Sequence, residues 1–134
     1  MRKLIPLIAG ALLAGGAAEA GTPDREAALE QALRGRVAGE PVDCINLRRV
    51  RSSRIINDTA ILYDAGHTIY VNRPRNGASS LDDRDTIVNR LYVGSRLCSI
   101  DTVTMIDAFS GSLQGVVFLG DFVPYRRVET GATD

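Results

Sequence analysis

Tryptophan is absent from this 134-residue chain, histidine and lysine each occur once, and there are two cysteines. Each scarcity closes off a class of chemistry. Any imidazole acid–base step or catalytic triad must run through the single ring of His67. One histidine and two cysteines do not make a zinc-ligand set, and no serine-nucleophile motif or phosphate-binding loop is spelled out. An enzyme working through carboxylates and arginines alone stays open. The formal charge is zero, with 16 basic and 16 acidic side chains, so no global field draws nucleic acid or an anionic membrane. Aromatic residues make up 5%, and long hydrophobic runs are missing outside the first twenty residues.

Those twenty, MRKLIPLIAGALLAGGAAEA, carry the strongest signal present. Arg2 and Lys3 precede an apolar stretch from Leu4 to Ala18, and Ala18-Glu19-Ala20 offers small residues at a peptidase site. This order is that of a secretory signal cleaved after Ala20. The stretch is about 15 residues against the roughly 20 that span a bilayer, so no membrane span is expected after cleavage. No cysteine follows it, which leaves lipid attachment unsupported. The expected plan is a signal peptide over 1–20, an N-terminal helix or tether over 21–39, a β domain over 40–127 and a disordered tail over 128–134. Removal of Arg2, Lys3 and Glu19 leaves 14 basic against 15 acidic side chains. Every remaining basic side chain but His67 is then arginine, as codon usage in a GC-rich genome would also produce.

In an exported protein an even cysteine count reads first as a disulfide, here Cys44 with Cys98. The loop of about 55 residues between them corresponds to roughly 4 kcal/mol of chain-entropy stabilisation. Two free thiols are the other reading, with no Cys-x-x-Cys motif in its favour.

Pro23 at a first-turn position and Ala28, Leu29, Ala32 and Leu33 at helical spacing predict a short helix ending near Gly35. From Val42 the apolar period becomes two. Thr59–Asp64 and Thr68–Arg73 flank Ala65-Gly66-His67 as a β-hairpin, stopped by Pro74. Ser80 followed by Asp82 and Asp83 reads as a helix start, with room only for a short helix or a strand before Gly94. Thr102–Ala108 and Gly115–Val123 are further strands around Ser110-Gly111-Ser112, and Phe118, Phe122 and Tyr125 lie along a last strand with Gly120 in its middle. The fold class is mainly β, a small antiparallel barrel or twisted sheet with a short N-terminal helix.

The densest charge cluster is CINLRRVRSSR, with Arg48, Arg49, Arg51 and Arg54 as candidate ligand-binding residues for a phosphate, a carboxylate or an acidic glycan. On a strand Arg49 and Arg51 share a face while Arg48 points away, so all four converge only with a bulge. A solvated edge is the plainer reading. Asp82, Asp83 and Asp85 lack the alternating spacing of a calcium loop, and helix capping explains them. No metal, cofactor or catalytic residue is assigned.

The blocks CINLRRVRSSR, TAILYDAGHTIYVNRPR, RLCSIDTV and FLGDFVPYRR, taken in order, resemble a family of uncharacterised exported proteobacterial proteins classed as a domain of unknown function. The resemblance covers about Gly39 to Arg127. It implies a small periplasmic or envelope domain and carries over no catalytic residue. Members of that family carry two further cysteines near the places held here by Ser79-Ser80 and Val116-Val117. Their joint absence implies that those two pair with each other, leaving Cys44 and Cys98 as the other pair.

The expected function is that of a non-catalytic periplasmic binding or structural module. Its partner is an envelope protein or an anionic ligand, and nucleic acid is not expected. An inhibitor of an envelope or foreign hydrolase is the alternative and should present one protruding loop, for which Arg75 to Ser80 is the candidate. An enzyme acting on an anionic substrate should show a pocket where arginine faces a carboxylate.

Overall fold

The computed structural model describes residues 23–92 and 94–128. The leader with its cleavage site, and the tail after Val128, lie outside the described residues.

Helix α1 (Pro23–Ala32) is followed by ten strands numbered in chain order. The main sheet is antiparallel throughout and runs β1 (Arg36–Ala38), β10 (Phe122–Arg127), β5 (Thr68–Asn72), β4 (Ala60–Asp64), β3 (Ser52–Ile56). A second sheet runs β6 (Asp85–Asn89), β8 (Thr102–Asp107), β9 (Leu113–Phe118), and a two-stranded ribbon joins β2 (Cys44–Asn46) to β7 (Arg96–Cys98). The domain is mainly β with one short N-terminal helix, and its sheets stay open rather than closing as a barrel.

The main sheet is covered on both faces, and this accounts for β4. Ala60, Ile61, Leu62 and Tyr63 are each at most 3% exposed, an unbroken apolar run of the kind seen where a strand has no wet side. Ile61 and Tyr63 face a core shared with Phe122 of the same sheet and with Ile45, Leu97, Val103, Met105 and Val117 from the other two. Ala60 and Leu62 face Leu29 and Leu33, with Ile69 and Val71 beside them. Burying each of those two leucines contributes about 1.5–3 kcal/mol, and ion pairs Arg73–Glu26 (2.9 Å) and Arg25–Asp58 (2.5 Å) flank the helix. Phe122 meets Tyr63 edge to face, ring centroids 5.9 Å apart.

Two clasps hold the layers. Cys44 and Cys98 stand directly opposite each other on β2 and β7, Cα atoms 3.9 Å apart, and are disulfide-bonded. Asn72, fully buried, donates from Nδ2 to the Gly120 carbonyl (2.7 Å) and accepts from the Gly120 amide (2.9 Å). A Cβ on Gly120 would lie 2.5 Å from the Arg73 carbonyl oxygen, so the turn into β10 admits only glycine at that approach. Phe122 is opposite Asn72 in the register, and the clasp therefore fixes where β10 begins.

The expected hairpin formed as β4 and β5. Elsewhere the structure differs from the sequence reading, for identifiable reasons. Arg36–Ala38, assigned to the helix or tether, is a strand because β10 offers it a partner. No helix starts at Ser80. A single 3-10 turn spans Ala78–Ser80, Asp82 turns its carboxylate onto the Arg84 amide (2.9 Å) and guanidinium, and the β-branched residues after it pair with β8. The strand expected over Gly115–Val123 is two strands, with Gly120 in the turn between β9 and β10.

Candidate functional site

The four arginines of CINLRRVRSSR do not converge. Asn46 accepts the Arg48 amide on its side chain (2.9 Å), winding Leu47–Arg49 into a 3-10 turn as asparagine does when it competes with a ladder. Arg48 and Arg49 are exposed on that turn, so Arg49 and Arg51 do not share a strand face. The Arg51 amide bonds the Asp64 carbonyl (2.7 Å), although Ser52 is already opposite Asp64. Two residues facing one is a bulge, and it carries Arg51 away from the strand row. Arg54 shares the face of its cross-strand partner Leu62 at the free edge of β3.

What the fold does bring together is a different cationic set. Arg36 is opposite Arg127 across β1 and β10. Continuing the β10–β5 register one step beyond Arg126–Thr68 sets Arg127 opposite His67. Arg36, Arg127 and His67 thus form a transverse row at one end of the main sheet. Arg51 joins them from the bulge, its guanidinium within 3.5 Å of where a Cβ on Gly66 would be. The result is a groove of about 500 Å³ lined by Arg51, Ala65, Gly66, His67 and Arg127, with no carboxylate among the described residues that line it.

The roles within the row separate. Arg36 is structural: Nη1 donates to the carbonyls of His67 (3.0 Å) and Tyr125 (3.3 Å), and Nη2 to Gly66 (3.4 Å). The nearby carboxylate of Asp64 accepts the Gly66 amide (2.7 Å) and shapes the turn. Arg51 and Arg127 are exposed and in no ion pair among the described residues. A guanidinium group without an ion-pair partner presents a planar donor fork that matches the geometry of an oxyanion. Sequence reasoning included Arg51 but missed Arg36 and Arg127, whose only signal is a register that pairs residues ninety positions apart.

The β8–β9 tip is a second feature. Asp107 Oδ1 accepts the amides of Phe109 (2.7 Å) and Ser110 (2.8 Å), and the Gly111 amide closes on the Asp107 carbonyl (2.9 Å). Those two side-chain bonds hold the Asp107 carboxyl below the usual carboxylate range. The tip presents Phe109 at 99% exposure. By contrast, the Arg75–Ser80 loop does not protrude. Arg75 donates its amide to Phe118 (2.9 Å) and Nε to Leu119 (2.6 Å), and a Cβ on Gly77, at φ +86°, would lie 2.5 Å from the Val116 carbonyl.

Among the described residues no three histidine, cysteine, aspartate or glutamate side chains gather as a metal site. Asp82 instead pairs with Arg84, whose hydrogen bonds draw its carboxyl down to about 2. Arg54, Asp83 and Asp85 line one further groove between β3 and β6, with no ion pair joining them among the described residues. Comparison with family models, curated proteins and solved structures found no match.

Proposed function

We propose that this chain is an exported, non-catalytic binding module that holds an oxyanion, such as the phosphate or carboxylate of an envelope ligand, between Arg51 and Arg127. One observation carries the reading. Like charges directly opposite on neighbouring strands are destabilising, yet the register sets Arg36 opposite Arg127, and no carboxylate among the described residues lines the adjoining groove. The leader-like first twenty residues support export, as do the disulfide, which persists in oxidising compartments, and the family resemblance of the four sequence blocks.

The test is titration with inorganic phosphate and with polyglutamate. Arg51→Gln and Arg127→Gln should each weaken binding and flatten its salt dependence, whereas Arg49→Gln, on the 3-10 turn, should not. If all three variants bind as the parent does, the row is only surface.

A second reading has its own observation. A rigid tip offering one fully exposed phenylalanine suits insertion into an apolar pocket, as an inhibitor of a hydrolase would require, since buried aromatic anchors dominate interface energetics. Phe109→Ala should then abolish inhibition of a sensitive envelope hydrolase while leaving phosphate binding intact.

A further inference from the structure

Among the described residues the edge of β3 is open, and the register says which of its groups are free. The Ala65 amide bonds the Thr68 carbonyl (2.8 Å), closing the β4–β5 hairpin. With the observed register, Tyr63 and Ile61 therefore spend their amides and carbonyls on β5, and Leu62 and Ala60 spend theirs on β3. Their partners Arg54 and Ile56 are engaged. Ser53 and Ile55, alternating with them, direct their N–H and C=O groups away from the sheet.

Both sides of this edge are hollow. On the side of the large core, a groove of about 440 Å³ separates β3 from β6, with Ile55 and Ile87 in it, Asp83 and Asp85 on the β6 side and Arg54 on the β3 side, two carboxylates against one guanidinium. One end is closed where the Asp83 amide bonds Asn57 Oδ1 (2.6 Å) and the Asp58 amide bonds the Leu81 carbonyl (3.0 Å). On the helix side, a hollow of about 200 Å³ is lined by Ala32, Leu62 and Ile69, with Ser52 and Asp64 at its margin. Free backbone groups flanked by a pocket on each face are what strand addition uses, because successive side chains of an added strand point to opposite faces.

We propose that the β3 edge receives an extended peptide as a sixth strand of the main sheet, a basic side chain entering the Asp83–Asp85 groove and a small aliphatic one the helix-side hollow. The stem of a lysine or arginine lies along Ile55 and Ile87 while its head reaches the two carboxylates. The opposite hollow is the smaller of the two, and the apolar part of its lining, Ala32, Leu62 and Ile69 beside Ser52, Ser53, Arg54 and Asp64, suits alanine or valine. The occupant is a partner's segment rather than a second copy of this chain. Two β3 edges paired about a two-fold through Arg54 would oppose Arg54 to itself, and like charges there are unfavourable. Arg54 also guards the edge against unselective pairing. This site is separate from the arginine row, and neither depends on the other.

The probes are acetylated, amidated pentapeptides of alternating valine and lysine or alternating valine and glutamate, titrated into isotope-labelled protein. The lysine peptide should give saturable amide shifts centred on Ser53 and Ile55, and the glutamate peptide should bind at least about tenfold more weakly. Ser53→Pro removes an outward amide without touching the β3–β4 ladder, a position where an edge strand tolerates proline, and should abolish binding with an unchanged circular dichroism spectrum. Asp83→Asn with Asp85→Asn should bring the two peptides to equal affinity, and this variant decides the matter if Ser53→Pro does not fold. The proposal is overturned if no saturable shift occurs up to about 1 mM peptide, the weak end of specific binding, or if the shifts centre elsewhere. It is equally overturned if sedimentation shows a dimer that Ser53→Pro converts to monomer, since the edge is then occupied by a second copy.

Discussion

Replacing Asn72 by alanine should be among the most damaging single changes in the domain. Its side chain is fully buried and makes both of its bonds to one residue, accepting the Gly120 amide at 2.9 Å and donating to the Gly120 carbonyl at 2.7 Å. Gly120 is itself buried, so truncation strands a donor and an acceptor away from water. Each stranded group costs about 1–3 kcal/mol, and the pair roughly 2–5 kcal/mol, against a total stability of about 5–15 kcal/mol for a domain. At about 4–8 °C per kcal/mol for a domain near 100 residues, the melting midpoint should fall by roughly 8–40 °C, read by circular dichroism. Asn72→Asp is the companion variant. It keeps an acceptor for the amide, loses the donor and buries a carboxyl, whose folded-state pKa burial raises above the unfolded value. Its remaining stability is then present at low pH and lost as pH rises through that folded-state pKa. A midpoint within about 4 °C of the parent for Asn72→Ala, less than 1 kcal/mol, would refute the reasoning and mean that another group takes over the Gly120 pair.

Joint replacement of Cys44 and Cys98 by serine should cost about 4 kcal/mol for a loop of this length, measured by urea denaturation, and a loss under about 1 kcal/mol would put the chain-entropy account aside. The Tyr63 hydroxyl is buried without a hydrogen-bond partner among the described residues, and burial pushes its pKa up, so Tyr63→Phe should leave stability unchanged or raise it by up to about 1 kcal/mol. A fall instead would show that the hydroxyl is satisfied. Because the Ser110 and Phe109 amides depress the Asp107 pKa, the order they give the tip is present above the ordinary carboxylate pKa and lost as pH falls through the depressed one. Amide exchange at Phe109 and Ser110, corrected for its intrinsic pH dependence, should rise on acidification, and protection constant down to about pH 2 would contradict this.

Local chemistry made the hairpin legible. The β-branched and aromatic arms either side of Ala65-Gly66-His67 need no distant information, and β4 and β5 fall where the pattern puts them. The cysteine pair was legible from its even count. Failures came where a short-range side-chain bond or a distant strand overrode the pattern. Asn46 was visible before Leu47-Arg48-Arg49 and could have warned of a turn. Asp82 reads equally as a helix cap or as an acceptor for Arg84, and only the presence of β8 decides between them. Nothing local marks Arg36–Ala38 as a strand, since its ladder is supplied wholly by β10.

The same distinction explains why the arginine row escaped a reading that did find Arg51. Proximity in sequence made Arg48, Arg49, Arg51 and Arg54 look like one site, but charge density along a chain becomes a site only when the backbone turns the side chains to one point. Here the 3-10 turn and the bulge disperse them. Convergence comes from register: the Asn72–Gly120 clasp fixes the start of β10, and from there the pairing runs without slip to Arg126 opposite Thr68 and Arg127 opposite Arg36. A one-residue slip would send Arg127 to the other face of the sheet. The buried amide of Asn72, at the far end of β10, is thus what keeps two positive charges in line at the sheet's rim. A stabilising clasp stands just before the strand whose far end carries an unfavourable pair of like charges.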